Sequence, residues 1–276
     1  MMSTSLGNHY ARSGLIAAIE SGLGQLGKNT DAVSIDDLAA VDEFHIGGRK
    51  ATEDIMRQLD AAPGAHVLDV GCGLGGPARY LADRYQCQVS GIDLTADYVE
   101  AGNRMSEWVG LRDRVELRQG SALAMPFRDA TFDAAYMLHV GMNIDDKESL
   151  FREISRLVQP GSRFVVYDVM RTAEGELSLP VPWATGHEAS AIDDPQHYQR
   201  ALQHAGFEIL SQRSRRDFAL AYFADLQSRT LPAGDRAPLG LETLMGNRRR
   251  DQIRNMVAGI SAEMIAPVEM IARRAR

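Results

Sequence analysis

The stretch "HVLDVGCGLGGPARYL", residues 66–81, constrains the fold more than any other part of the chain. Five residues of strand character lead into closely spaced glycines at Gly71, Gly73, Gly75 and Gly76, and a helix-forming run follows. This is the opening of a βα unit. Glycines after the strand let a ligand approach the backbone, and the start of the helix offers unpaired N–H groups.

The pattern continues downstream. Further strands are expected at 87–93, 114–119, 132–138, 163–169, 207–213 and 268–274, with helices at about 76–85, 96–109, 146–158 and 195–205. Strands alternating with amphipathic helices imply an α/β fold, a mostly parallel sheet covered on both faces. Residues 1–62 read as a helical lid or cap, with Ser34 and Asp37 spaced as a capping box, and residues 63–276 as the core. Within that core, 171–194 has prolines and glycines and no clear period, so it reads as an insertion over the site; helical segments are expected at about 218–261.

A chain of 276 residues can bury a sizeable core but leaves no room for a second full catalytic domain. Its net charge of -7 argues against a nucleic-acid or anionic-membrane surface, and short basic runs such as Arg248-Arg249-Arg250 do not reverse that. Cys72 and Cys87 form no disulfide framework, and no stretch reaches the apolar length of a membrane span. The expected protein is soluble, reducing and cytoplasmic, with a small-molecule partner and no nucleic acid. Nothing in the sequence fixes its oligomeric state.

Glycines alone would suit NAD, FAD, ATP or S-adenosylmethionine; Asp69 narrows the choice. A carboxylate beside a pyrophosphate repels it, whereas it attracts the ammonium of an amino-acid ligand, by on the order of 4 kcal/mol at an effective dielectric of 20. Asp93 ends the next strand in "GID", where an acid can accept from both ribose hydroxyls.

Taken in order, "VLDVGCGLGG", "GIDLT", "GSALAMPF", "FDAAYMLHVGMNIDDK" and "LVQPGSRFVVYD" resemble class I S-adenosylmethionine-dependent methyltransferases. The nearest types are small-molecule enzymes of ubiquinone/menaquinone biosynthesis and glycine/sarcosine/dimethylglycine N-methyltransferases. The resemblance covers roughly residues 40–215. It implies a Rossmann-like seven-stranded sheet with an antiparallel last strand, S-adenosyl-L-methionine as donor and S-adenosyl-L-homocysteine as product. By position it places Asp69, Gly71 and Gly73 at the methionine part, Asp93 and Leu94 at the ribose, Ser121 and Ala122 at the adenine, and Leu138 and His139 at the sulfonium, with Gly75 a further cofactor-binding residue. Ser121 stands where the family commonly has Asp, which exchanges a charged acceptor for a neutral one.

His139 either takes a proton from a nucleophile or packs under the cofactor. In "DEFHIGGRKAT", residues 42–52, His45 and the Gly47-Gly48 pair read either as a lid reaching the site or as a helix connection. Met142 and Asn143 follow the fourth strand, where substrate borders the fold, and Asn143 or Asp145 could also cap the next helix. Tyr10, Trp183 and Arg171 are further substrate candidates, with His9, His187 and Tyr222 behind them. No residue grouping has metal-ligand spacing, so no catalytic metal is expected. The resemblance favours an amine acceptor. O- or C-methylation of an aromatic or quinone-like molecule is the alternative, followed by an NAD-dependent oxidoreductase and a catalytically silent cofactor-binding protein.

Overall fold

The computed structural model describes residues 14–228, 238–246 and 249–276. Three helices come first: α1 (Leu15–Gln25), α2 (Ile35–Asp42) and α3 (Gly48–Leu59). The capping box is formed, with Asp37 N–H donating to Ser34 Oγ and Ser34 N–H to Asp37 Oδ2. The core then runs β1 (His66–Val70), α4 (Gly76–Arg84), β2 (Gln88–Asp93), α5 (Ala96–Trp108), β3 (Val115–Gln119), β4 (Phe132–Leu138), α6 (Lys147–Leu157), β5 (Val158–Arg171), α7 (Pro195–His204) and β6 (Phe207–Ser214). Helices α8 (Arg216–Ser228), α9 (Glu242–Met245) and α10 (Arg249–Ser261) lead to β7 (Ile265–Arg274).

The seven strands form one sheet in the order β3-β2-β1-β4-β5-β7-β6. Strands β1 to β5 pair in parallel, and β7 runs antiparallel to both β5 and β6. The chain reverses its winding between β1 and β4, so the carboxyl ends of those strands open the crevice where such sheets bind ligands. Apolar clusters fill both faces, one around Phe132, Phe151 and Phe164, the other around Val67, Val89 and Tyr136.

Strand β5 is longer than the expected 163–169. Its first residue pairs with Phe132 across an irregularity, and its last two pair with the start of β7. The cap of α6 is Asp146, whose Oδ1 accepts Ser149 N–H at 2.8 Å; neither Asn143 nor Asp145 takes that place. Asp194 caps α7 with Pro195 at its first turn. Cys72 and Cys87 are buried free thiols, and Cys72 packs so tightly on Gly91 that a Cβ there would lie 2.7 Å from its own. Among the described residues no helix is long and apolar enough to cross a membrane.

Candidate active site

A cavity of about 430 Å³ opens at the carboxyl ends of β1, β2 and β4. Its floor is the glycine turn between β1 and α4. Gly71 has φ +74 and a Cβ there would sit 2.3 Å from Val140, so the turn closes only around glycine. Gly73 has φ +51 and a Cβ would meet nothing within 4 Å, which leaves room for a ligand against its backbone. Gly75, by contrast, is the residue before α4; it packs toward Leu117 and stands outside the cavity lining.

Two acids face this floor. Asp69 is buried and accepts the Tyr136 hydroxyl at 2.8 Å on Oδ2. Burial pushes its carboxyl up to about 7, against the Tyr136 bond and helped by the charge of Asp93. A buried acid held near neutrality, beside a glycine floor, is suited to a cationic group that would draw it into the ionised form. Asp93 accepts Gly73 N–H and Thr95 N–H, both at 2.9 Å, and so ties the glycine turn to the end of β2. Burial raises its pKa against those bonds. Leu94, Ser121, Ala122 and Leu138 line the same cavity. The Ser121 hydroxyl accepts Leu123 N–H at 3.2 Å, which holds it in a local turn.

His139 closes the end of β4 with φ +56, an uncommon backbone state for a residue with a side chain, fixed by its N–H bond to Tyr167 O at 2.7 Å. The ring lines the cavity. Its Nε2 is buried without a hydrogen-bond partner. Burial holds the imidazole well below its usual range, and His45 adds to that.

His45 comes to the same place from 94 residues earlier in the sequence, its ring centroid 6.1 Å from that of His139. The segment carrying it is pinned by the Tyr167 hydroxyl, which donates to Ile46 O at 3.0 Å, and by Gly47, where a Cβ would overlap the Phe218 ring. His45 Nε2 lies 3.2 Å from both Gly48 O and Thr52 Oγ1. Burial pushes its pKa down to about 4. Both imidazoles are therefore neutral at pH 7.

Met142, Asn143 and Trp183 also line the cavity. Trp183 is 1% exposed, its Nε1 donating to Ser190 Oγ at 3.0 Å. Met142 is placed by Asp168, which accepts its N–H at 3.1 Å and the Tyr198 hydroxyl at 2.7 Å. Arg171 stands outside the cavity, donating to Gly175 O at 2.9 Å, and His187 is exposed beside Glu176. Tyr10 and His9 lie outside the described residues. A further part of the wall comes from the C-terminal helices, among them Tyr222, Phe223, Leu244, Met245, Arg249, Ile253 and Met256. Sequence reasoning marked that span as helical but missed these residues, apart from Tyr222, because helical apolar spacing reads the same for a core and for a cavity wall. Among the described residues no group of three His, Cys, Asp or Glu is arranged to hold a metal ion.

The strand order, the glycine turn and the acids ending β1 and β2 define a class I S-adenosylmethionine-dependent methyltransferase of the small-molecule type. Residues 68–166 match the methyltransferase domain family. The chain is 27% identical to the methyltransferase GfsG of Streptomyces halstedii, over 84% of this chain and 79% of that protein. It is 31% identical to phosphoethanolamine N-methyltransferase 3 of Arabidopsis thaliana, over 62% of this chain, but spans only 34% of that longer protein. In fold it is similar to geranyl diphosphate C-methyltransferase from Streptomyces coelicolor A3(2), solved with Mg2+, geranyl diphosphate and S-adenosyl-L-homocysteine, with a TM-score of 0.67 and 22% identity over 82% of this chain and 78% of that one. The cofactor is S-adenosyl-L-methionine.

Proposed function

We propose that the protein transfers the methyl group of S-adenosylmethionine to a hydroxyl oxygen of a largely apolar metabolite. When bound, the cofactor supplies a methyl group activated on a sulfonium. Asp69, with the backbone at Gly71 and Gly73, takes the amino-acid end, Asp93 and Leu94 the ribose, Ser121 and Ala122 the adenine edge, and Leu138 borders the sulfur. Room over Gly73 and the near-neutral carboxyl of Asp69 support this orientation.

The observation that carries the acceptor reading is the pair of neutral imidazoles, His45 and His139, set among the apolar residues Ile46, Met142, Trp183, Phe223 and Met256, with Asn143, Tyr222 and Arg249 as further polar side chains of that wall. Apolar walls select an apolar acceptor, and two imidazoles can orient a hydroxyl and take its proton as the new bond forms. In-line approach then supplies much of the rate. Residues 14–62, with the helices after β6, act as the cover that admits the acceptor.

An amine is the second reading. It is favoured by the low basicity of both histidines, since an amine that arrives as free base needs no proton acceptor. Incubating the protein with donor carrying an isotope-labelled methyl and a metabolite extract tests both. Label recovered as a methyl ether supports the hydroxyl reading, and label recovered on nitrogen overturns it in favour of the amine.

A further inference from the structure

We propose that the buried chain Glu43–Thr52–His45 carries the acceptor's proton away from the cavity, with Glu43 as the positioning residue that directs the chain and holds the proton at its end. This rests on the hydroxyl reading above.

The direction follows from counting hydrogens. When Glu43 is ionised its Oε2 can only accept, so the one hydroxyl hydrogen of Thr52 points at it, 2.6 Å away. Thr52 Oγ1 can therefore only accept from His45 Nε2 at 3.2 Å, and Gly48 O at 3.2 Å can only accept as well. His45 consequently carries its proton on Nε2 and offers the lone pair of Nδ1 to the cavity that its ring lines. Glu43 Oε2 is also 3.7 Å from His45 Nε2, while Arg49 Nε holds the other oxygen at 2.7 Å. Glu43 is itself outside the cavity lining, so it reaches the acceptor only through this chain.

The step balances. The acceptor oxygen gains the methyl as the donor's S–CH3 bond breaks, the electron pair of that bond staying on sulfur. The hydroxyl proton passes to His45 Nδ1, the Nε2 proton to Thr52 Oγ1, and the Thr52 proton to Glu43 Oε2. One sulfonium charge and one carboxylate charge disappear together, so no unpaired charge is left buried.

Glu43 is the better resting place for that proton. Burial and the neighbouring Asp42 push its carboxyl up to about 8, with Arg49, Thr52 and Arg79 opposing, whereas His45 is pushed down to about 4; the relay therefore opens as pH rises through about 8 and Glu43 becomes a carboxylate able to take the proton. The charged and titratable groups around Glu43 are Asp42 on α2, His45, Arg49 on α3, Arg79 on α4, Tyr136 on β4 and Tyr222 on α8. None of the others is joined to the cavity through a hydroxyl relay of this kind.

The test uses the full chain with 15N-labelled histidine, saturated with S-adenosylhomocysteine, and follows the His45 ring nitrogens by NMR from pH 6 to pH 10. The expected wild-type result is an Nε2–H tautomer at high pH and an inflection from Glu43, separate from His45's own titration. Glu43→Gln should abolish the inflection, Thr52→Val should reduce it to the direct effect of the Glu43 charge 3.7 Å from His45 Nε2, and Thr52→Ser should retain it in full, because only a hydroxyl passes the hydrogen-bonded part of the signal. S-adenosylhomocysteine affinity should stay within about threefold in all three, since none of these side chains is assigned to the donor. An Nδ1–H tautomer in the wild type, no inflection, or an inflection that survives both Glu43→Gln and Thr52→Val overturns the proposal. Failure of the wild type to bind S-adenosylhomocysteine would instead remove the donor reading on which it rests.

Discussion

The half of the cavity proposed for the donor is walled by residues that follow one another between Asp69 and His139, while the half proposed for the acceptor is gathered from Phe44 to Ile46, Met142, Trp183 and the helices after β6. The first half works through backbone: a glycine turn tied by Asp93 to Gly73 N–H and Thr95 N–H. The second works through side-chain shape, with few polar groups among apolar ones. A site made of local backbone geometry tolerates little change and recurs across substrates. A site made of distant side chains can change its ligand without disturbing the sheet. Substitutions in the two halves should therefore separate donor binding from acceptor use.

The largest effect is expected at the floor. Gly71→Ala would force a Cβ to within 2.3 Å of Val140 at a φ of +74, so the turn must open. Donor affinity should drop by about a hundredfold or more, as strain and lost backbone contacts of a few kcal/mol imply. Calorimetry with S-adenosylhomocysteine measures it, and near-normal binding would mean that Val140 yields and the floor is softer than this contrast requires. Asp93→Ala comes next, at about 1.5–3 kcal/mol, because it removes a charged acceptor from two backbone N–H groups and, in the proposed orientation, from the ribose. An unchanged dissociation constant would take Asp93 out of the site.

On the acceptor side, Trp183→Leu should raise the acceptor KM by about ten- to thirtyfold, equivalent to the apolar area lost at roughly 25 cal/mol per Å². Donor affinity should remain within about twofold. Equal losses for donor and acceptor would erase the division between the halves.

The same contrast explains what the sequence could reveal. Strands β1 and β4 and the start of α4 were legible to the residue because apolar runs, glycines and caps act over a few positions. That the residues from Asp69 to Leu138 would meet at one cavity was legible for the same reason, except that Gly75 serves the turn and stands outside the lining. His45 was marked as one of two readings. Its meeting with His139 could not be read, since it depends on Tyr167 of β5 and Phe218 of α8 holding the 44–48 segment down. Arg171 was a substrate candidate just past the expected strand 163–169, but β5 runs on to include it and its guanidinium turns to Gly175. Nothing local announces which apolar residues of α8 to α10 face a cavity, because the other face of each helix carries the same spacing.

The smallest expected effect is the most specific to charge. Asp69 is held at about 7 by burial, above the ordinary carboxylate range, so near pH 6 it is mostly protonated before a ligand arrives. An ammonium beside it favours the carboxylate, and binding must then expel that proton. The sign is fixed: affinity for S-adenosylhomocysteine should be lower at pH 6 than at pH 8, by about tenfold for one proton over the unit below pH 7, and should level off above that. Asp69→Asn keeps an acceptor for the Tyr136 hydroxyl but cannot gain or lose the charge. It should bind about tenfold more weakly than wild type at pH 8 and nearly as well at pH 6. Calorimetry in buffers of different ionisation enthalpy should show proton release by the wild type below pH 7 and little by the variant. The same pH slope in both would move the titration to Glu43 or Asp93, and with it the cationic end of the donor away from Asp69.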